Sequence, residues 1–429
     1  MQEKILHFAN PDQARRDPRP EWLGPAATPD VHAVNTSSDR REPRTFTDAG
    51  DLHFALRGIS MAGVSLPAGI KSTAQGTVDP HFLSYISTHI DSFGGLPSAE
   101  KCNQYRRNGA ALGAEVILGS GAVIIAPQIV LGDGVQIGEQ SSVICRERFV
   151  AGQLTSFRSG LSVRGATVVL GENIFAGSRI QIGGGGNSEP WAVLCVGDSC
   201  YLGDDVFINV CRPVIVGKEV FLTQRTILVS HNLSHSILEG QDNVFKPVVL
   251  CDYSQIGMNC TVYAGVRIGR SAIVASNSYV VSSIPDGKLA IGVPAKVVRD
   301  AVRPPDRDRQ LRIVNKMVAD FHELLSLKGH EISPIYNDGF SLAYEGKRFQ
   351  LAFLETYPSY HLNMQPADES IIWALETRAG PTRASTLINL LAKTIEGPTG
   401  IFLDSTREFL RKRGIRCQPG PWRYKKGLL

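Results

Sequence analysis

Aliphatic residues recur every six positions from Leu250 through Ile256, Val262, Ile268 and Val274 to Val280, without a slip in register. A period of six matches neither the 3.6 of an α-helix nor the 2 of a strand. It predicts a mainly β protein, a solenoid of short parallel strands set three to a coil. Each leading aliphatic points inward and stacks on its equivalent eighteen residues away. The beat is also audible at Leu112, Leu118 and Ile124, at Leu131, Ile137 and Val143, and at Leu170, Ala176 and Ile182. It continues at Val196, Leu202 and Ile208 and at Val216, Leu222 and Leu228.

The pattern blurs between 150 and 165, where Arg164 falls at an expected inward position, and it breaks at two longer segments. GGGGNSEPWAVLC, from 183 to 195, reads as a flexible corner, because neither a Lys-Ser/Thr pair nor a helix start follows, as phosphate-binding loops require. The polar stretch between Leu228 and Leu250, VSHNLSHSILEGQDNVFKPVV, is too long for a corner. An excursion of that kind from a rigid scaffold is where function concentrates.

The flanks keep a different rhythm. Residues 1–45, rich in Arg, Asp and Pro, read as a mobile arm. Residues 46–110 form a mixed capping region with helices expected around 81–93 and 98–109, since an uncovered coil would expose backbone groups and core alike. The solenoid takes 111–300. Residues 305–429 read as a small α+β accessory domain: helical spacing at Leu311, Val314, Val318, Phe321 and Leu325, strands within 340–357 and 370–377, and further helices over 384–395 and 404–413. The basic end, RKRGIRCQPGPWRYKK, reads as a solvated tail.

Charge and composition narrow the function classes. Lys and Arg number 45 against 41 Asp and Glu, a net +4 with no interior basic patch, which argues against a nucleic-acid partner. No 18 apolar residues run together and no secretory pattern opens the chain, so a soluble, cytoplasmic protein without a membrane span is expected. The eight cysteines form no CxxC pair and read as packing thiols.

Residues 196–299 carry LGDDVFINV, VGKEVFLTQRTILVSHN, KPVVL, the unbroken hexads and a closing IGVPAKVVR. This order resembles the hexapeptide-repeat acyltransferases of the sugar and xenobiotic acetyltransferase type. The resemblance implies a left-handed parallel β-helix and a homotrimer with active sites between subunits. It also implies transfer of an acetyl or other short acyl group from coenzyme A to a hydroxyl or amine of a sugar, a polysaccharide precursor or a small natural product. The base it implies is His231, in LVSHN. Neutral imidazole suits removal of the acceptor's proton near neutral pH. His235 is its rival in the same loop, and Glu239 is a candidate to orient the imidazole. Asn209, which can hydrogen-bond an acceptor but cannot act as a base, is matched to the acceptor side. Asp204 and Asp205 could face the cleft or form a turn, and Gln255 stands where relatives carry Trp.

For acetyl-CoA the resemblance points to Ala264, Gly265, Ser276, Lys296 and Arg299. Lys288 is a candidate replacement for a lysine that relatives carry near Val281, Ser282 and Ser283. Basic side chains suit the nucleotide's phosphates. No metal is expected: a zinc enzyme on this fold needs three histidines, and only His231 and His235 lie between 90 and 320. Sugar nucleotidyltransferases need an N-terminal Gly-rich nucleotide domain that 1–110 lacks. A non-catalytic β-helix scaffold with a decayed acyl site is the remaining alternative.

Overall fold

A computed structural model describes residues 60–67, 75–185, 189–232, 236–241, 243–302, 304–335, 339–357, 367–377 and 385–417. The chain divides into two compact units, 1–44 and 45–429, and all described residues belong to the second. The arm expected over 1–45 therefore lies outside the described residues.

The predicted solenoid is present as a left-handed parallel β-helix. Its first face runs from Ile117–Leu118 to Ile273–Val274, its second from Val123–Ile125 to Tyr279–Val280, and its third from Ala111–Leu112 to Arg267–Ile268. Strands stack in parallel register, for example Leu202 on Leu222 and Leu222 on Ile256 along the first face. Every leading aliphatic of the hexads from Leu118 to Val280 is buried in one continuous core.

Corner chemistry explains the six-residue unit. The residue after the inward aliphatic is commonly Gly because the next coil passes directly over it. A Cβ on Gly203 would sit 2.5 Å from the Gln224 amide nitrogen. The corner then turns through the left-handed region, at φ 59° for Asp205 and 63° for Tyr253, where a short polar side chain can help by hydrogen-bonding locally. A carboxylate often locks the turn to its neighbour: Asp204 Oδ1 accepts from the Ser178 amide at 2.7 Å. Asp204 is thus a turn residue.

The blurred coil is regular after all. Ala151, Phe157 and Val163 are six apart and buried, whereas Arg164 is exposed one position later. Here the strands Ser142–Ala151 and Ser162–Leu170 run across the corner between the second and third faces and fuse them into one sheet. The missing corner displaced the apparent register.

Helices Pro80–Thr88, Ile90–Gly94 and Ser98–Arg107 close the first coil. Phe82, Phe93 and Tyr105 meet edge to face at 5.4–5.7 Å. Fully buried Lys101 donates from Nζ to the carbonyls of Gly94, Gly119 and Ala122 where the cap meets the first coil; Gly94 and Gly119 also accept from the Gly121 and Ala122 amides. Residues 60–67 lie on the third face, where Ser65 donates to Asp252 from its amide at 2.7 Å and its hydroxyl at 2.6 Å. All eight cysteines are buried, and burial pushes the Cys195 and Cys200 thiols up to about 12.

The first face ends in an antiparallel hairpin, Lys288–Gly292 with Ala295–Asp300. Beyond it, helices Arg307–Leu327 and Ile401–Arg411 pack around Trp373 and Phe321 on a six-stranded mixed sheet, with its own apolar cluster. The helix expected over 384–395 is instead strand Ser385–Asn389, turning at Lys393 (φ 55°) into strand Thr394–Glu396. Its Thr-Leu-Ile run extends the parallel core of the sheet beside Ile371 and Ile372, where packing outweighs helical spacing. This lobe touches the β-helix through Lys393 and Glu219 (3.5 Å) and through Arg416, which bonds the Ser199 carbonyl and lies 4.6 Å over Phe221. No helix among the described residues is long and apolar enough to cross a membrane.

Candidate functional site

The long excursion leaves the helix after second-face strand Ile227–Leu228 and returns at third-face strand Val248–Leu250. Its two ends pair as a short antiparallel ribbon, His231 opposite Phe245 and Asn232 opposite Val244. The pairing fixes His231 at the root, its ring stacked on Phe245 at 5.8 Å and 21°.

One coil away, Asn209 ends the second-face strand Phe207–Asn209 and lies 2 % exposed. Its amide orientation is determined by its partners. Nδ2 donates to the Gly184 carbonyl at 2.6 Å, while Oδ1 accepts from the Ser230 hydroxyl at 2.7 Å and the Cys211 amide at 3.3 Å. The same Oδ1 lies 2.8 Å from His231 Nδ1. Since a carbonyl oxygen can only accept, Nδ1 must carry the proton and Nε2 keeps its lone pair. The Ser230 hydroxyl accepts in turn from the Arg212 amide at 3.0 Å.

Two features keep the imidazole neutral. Partial burial, and secondarily the Arg212 guanidinium, hold its pKa below the ordinary 6.5. Arg212 is kept near by its position 5.0 Å over the Phe245 ring. Space at the Nε2 edge comes from the Gly-rich segment. A Cβ on Gly185 (φ 120°) would lie 3.1 Å from His231 Cε1 and 3.3 Å from Nε2. Those glycines, read from sequence as a plain corner, belong to the coil below Asn209, where Gly183 pairs with it directly.

The remaining candidates are dispersed. Glu239 sits in an exposed 3-10 turn, Ile237–Glu239, and makes no hydrogen bond to His231, whose Nδ1 already has Asn209. Asn209 itself, matched to the acceptor, spends its amide on protein groups. Asp205 lies at a corner between the first and second faces with its carboxylate held by Arg179 at 2.6 and 2.8 Å, so it is engaged away from the histidine. Gln255 points outward on the first face, which the excursion does not border. His235 lies outside the described residues.

On the donor side, Ala264 and Gly265 form the corner one coil beyond the excursion. Gly265 lies under Lys246, whose Cδ would be 2.8 Å from an added Cβ. Ser276 occupies the corner between the first and second faces and accepts from the Met258 amide at 3.1 Å. Lys288, Lys296 and Arg299 lie on the terminal hairpin, Lys288 paired with Asp300 at 2.6 Å. A single chain brings His231, Asn209, Ala264 and Gly265 to one edge and leaves the others elsewhere. Ser230, Arg212, Phe245 and Gly185 were missed by reading along the chain; counting coils, which stacks Gly183 on Asn209 and Ile208 on Leu228, leads to Gly185 and Ser230 two residues further along.

No protein-family model matches the chain. It is 26% identical over 146 residues, 31% of this chain and 71% of the other, to a putative lipopolysaccharide biosynthesis O-acetyl transferase, WbbJ, of Escherichia coli (strain K12). A putative colanic acid biosynthesis acetyltransferase, WcaF, of the same strain is 26% identical over 133 residues, 31% of this chain and 69% of its own. Among solved structures, a hexapeptide-repeat-containing acetyltransferase from Vibrio cholerae O1 biovar eltor, complexed with acetyl coenzyme A, aligns with TM-score 0.26 and 18% identity, covering 59% of this chain and 99% of its own. In its repeat and its β-helix the chain is similar to these acetyltransferases.

Proposed function

We propose that this protein transfers an acetyl group from acetyl-CoA to a hydroxyl of a saccharide, with His231 Nε2 as the general base. The observation that carries the reading is the bond from His231 Nδ1 to Asn209 Oδ1. It fixes the tautomer whose Nε2 can take a proton, at an edge that Gly185 keeps open. In the step itself the acceptor oxygen attacks the thioester carbonyl while Nε2 removes the hydroxyl proton. Collapse of the tetrahedral adduct then forms the ester and expels the CoA thiolate, which the imidazolium reprotonates. Asn209 and Ser230 position the ring; Ser230 transmits the anchor of the Arg212 backbone.

The lipopolysaccharide and colanic acid relatives favour a polysaccharide precursor as the acceptor. On this reading residues 111–300 form the transferase domain, 46–110 its cap and 305–429 an accessory domain, in a protein acting in the cytoplasm. CoA would run from the Ala264–Gly265 corner towards Lys296 and Arg299, whose charges suit its phosphates. Because one chain leaves Ser276 and the terminal hairpin away from His231, a complete site calls for a homotrimer with each site shared between neighbouring copies. Release of free CoA thiol, followed with and without a panel of mono- and oligosaccharides, tests the reading. Acceptor-dependent release is expected; acetyl-CoA left intact with every acceptor would count against it.

A further inference from the structure

A cleft of about 710 Å3 lies between the early coils and the C-terminal lobe, away from the edge that carries His231. Its floor is unusually regular. Ile117, Gln136, Ser156 and Phe175 are the outward residues of four successive first-face strands, and Leu154 and Asn173 come from the corners that precede two of them. Strands in register lie about 4.8 Å apart, so three steps give a floor about 14 Å long. That is the length of a di- or trisaccharide.

The chemistry of the floor narrows the ligand. Along the floor the amide of Gln136 and the hydroxyl of Ser156 lie between two large apolar side chains left open, Ile117 at 48% and Phe175 at 41% exposure. The Phe175 ring is held by Tyr201, stacked at 5.9 Å, and by the Arg158 guanidinium, 5.4 Å from its centroid. Charge in the lining is balanced rather than basic: Glu115 is matched by Arg411, itself paired with Glu408 at 2.8 Å. At its far end the aromatic column is closed by Arg416 over Phe221. Volume, length and this mixture of short polar groups and apolar patches are those of a site for a pyranose chain, which offers hydroxyls at its rim and C–H groups on its faces.

We infer that this cleft is a binding site for a neutral oligosaccharide of two or three pyranose units, separate from the histidine edge. It holds a glycan whether or not transfer occurs there, and the C-terminal lobe supplies one wall through Arg411. A polymeric acceptor anchored in the cleft would raise the local concentration of its other segments around the same subunit assembly.

The test is a microarray of neutral oligosaccharides of two to five sugars, with uronate-containing ones alongside, probed with the labelled full-length protein. Binding to neutral glycans is expected, at least about tenfold weaker for Phe175→Ala and for Ser156→Arg, which fills the floor. Both substitutions are at accessible positions, and circular dichroism checks their fold. His231→Ala should bind as the wild type does, which separates this site from the acetyl-transfer reading. Retention of uronate-containing glycans alone, undiminished binding in both variants, loss of binding in His231→Ala, or no retention at all would each overturn the inference.

Discussion

His231 Nδ1 lies 2.8 Å from Asn209 Oδ1, across one coil step of the β-helix. That oxygen cannot donate, so the bond determines which imidazole nitrogen is basic. Asn209 is in turn held by Gly184, Cys211 and Ser230, which makes the tautomer a property of the scaffold rather than of the loop.

Replacing Asn209 should therefore act on kcat through the histidine. Asn209→Ala frees the tautomer and is expected to lower kcat about 10- to 100-fold, less than the about 10²- to 10⁴-fold that complete loss of the base would cost. Asn209→Asp places a carboxylate on Nδ1, stabilises the imidazolium and moves the acidic limb of the kcat/KM profile to higher pH. A pH–rate profile of both variants checks this; an unshifted limb in Asn209→Asp would remove Asn209 from the account.

Burial and then Arg212 depress the His231 pKa below 6.5 in the folded protein. The unfolded chain then binds the proton more readily, so this group's contribution to stability is complete above about 6.5 and is lost as pH falls through the folded pKa. An NMR titration of the His231 Cε1 proton should give a midpoint below 6.5, moving upward in Arg212→Ala. A wild-type midpoint at or above 6.5 would contradict the assignment of cause.

Gly185 gives a steric test of the open edge. In Gly185→Ala the methyl would crowd Cε1 and Nε2 at 3.1 and 3.3 Å, from a backbone φ of 120° that L residues rarely adopt. Acetyl transfer should fall at least about tenfold with acetyl-CoA affinity within about twofold of wild type. Equal losses in both would mean that the loop, not the histidine edge, had been disturbed.

Lys101 tests the cap. Its ammonium satisfies three carbonyls at the end of the solenoid, with Gly94 at 3.0 Å and Ala122 at 3.3 Å. Lys101→Met keeps the apolar stem but removes the ammonium from all three oxygens and leaves Gly94 and Gly119 only their backbone donors, at an expected cost of about 1–3 kcal/mol in urea unfolding. A loss below about 0.5 kcal/mol would show that the carbonyls find other partners.

The solenoid was legible because each hexad repeats the same local problem: an inward aliphatic, a residue small enough to pass under the next coil, and a left-handed corner. Leu250 to Val280 meets it with no insertion. Where strands cross a corner without turning, as at Ser142–Ala151 and Ser162–Leu170, the beat is kept by Ala151, Phe157 and Val163 but offset from its neighbours, and Arg164 took the apparent inward place. His231 was found from its position at the root of the excursion. Its partner was not, because Asn209 reaches it vertically, across corners of unequal length, and linear spacing does not carry that relation. Gly184 and Gly185 were hidden for the same reason. In the C-terminal lobe the apolar spacing of 384–395 suited a helix, and only the neighbouring strand Glu369–Thr377 decides for a sheet.

The central claim is that His231 acts as the base. Steady-state acetyl transfer by His231→Ala, run beside acetyl-CoA titration of the same protein, tests it most directly. The account predicts kcat lower by about 10²- to 10⁴-fold with donor affinity retained. A variant that turns over at the wild-type rate would contradict it.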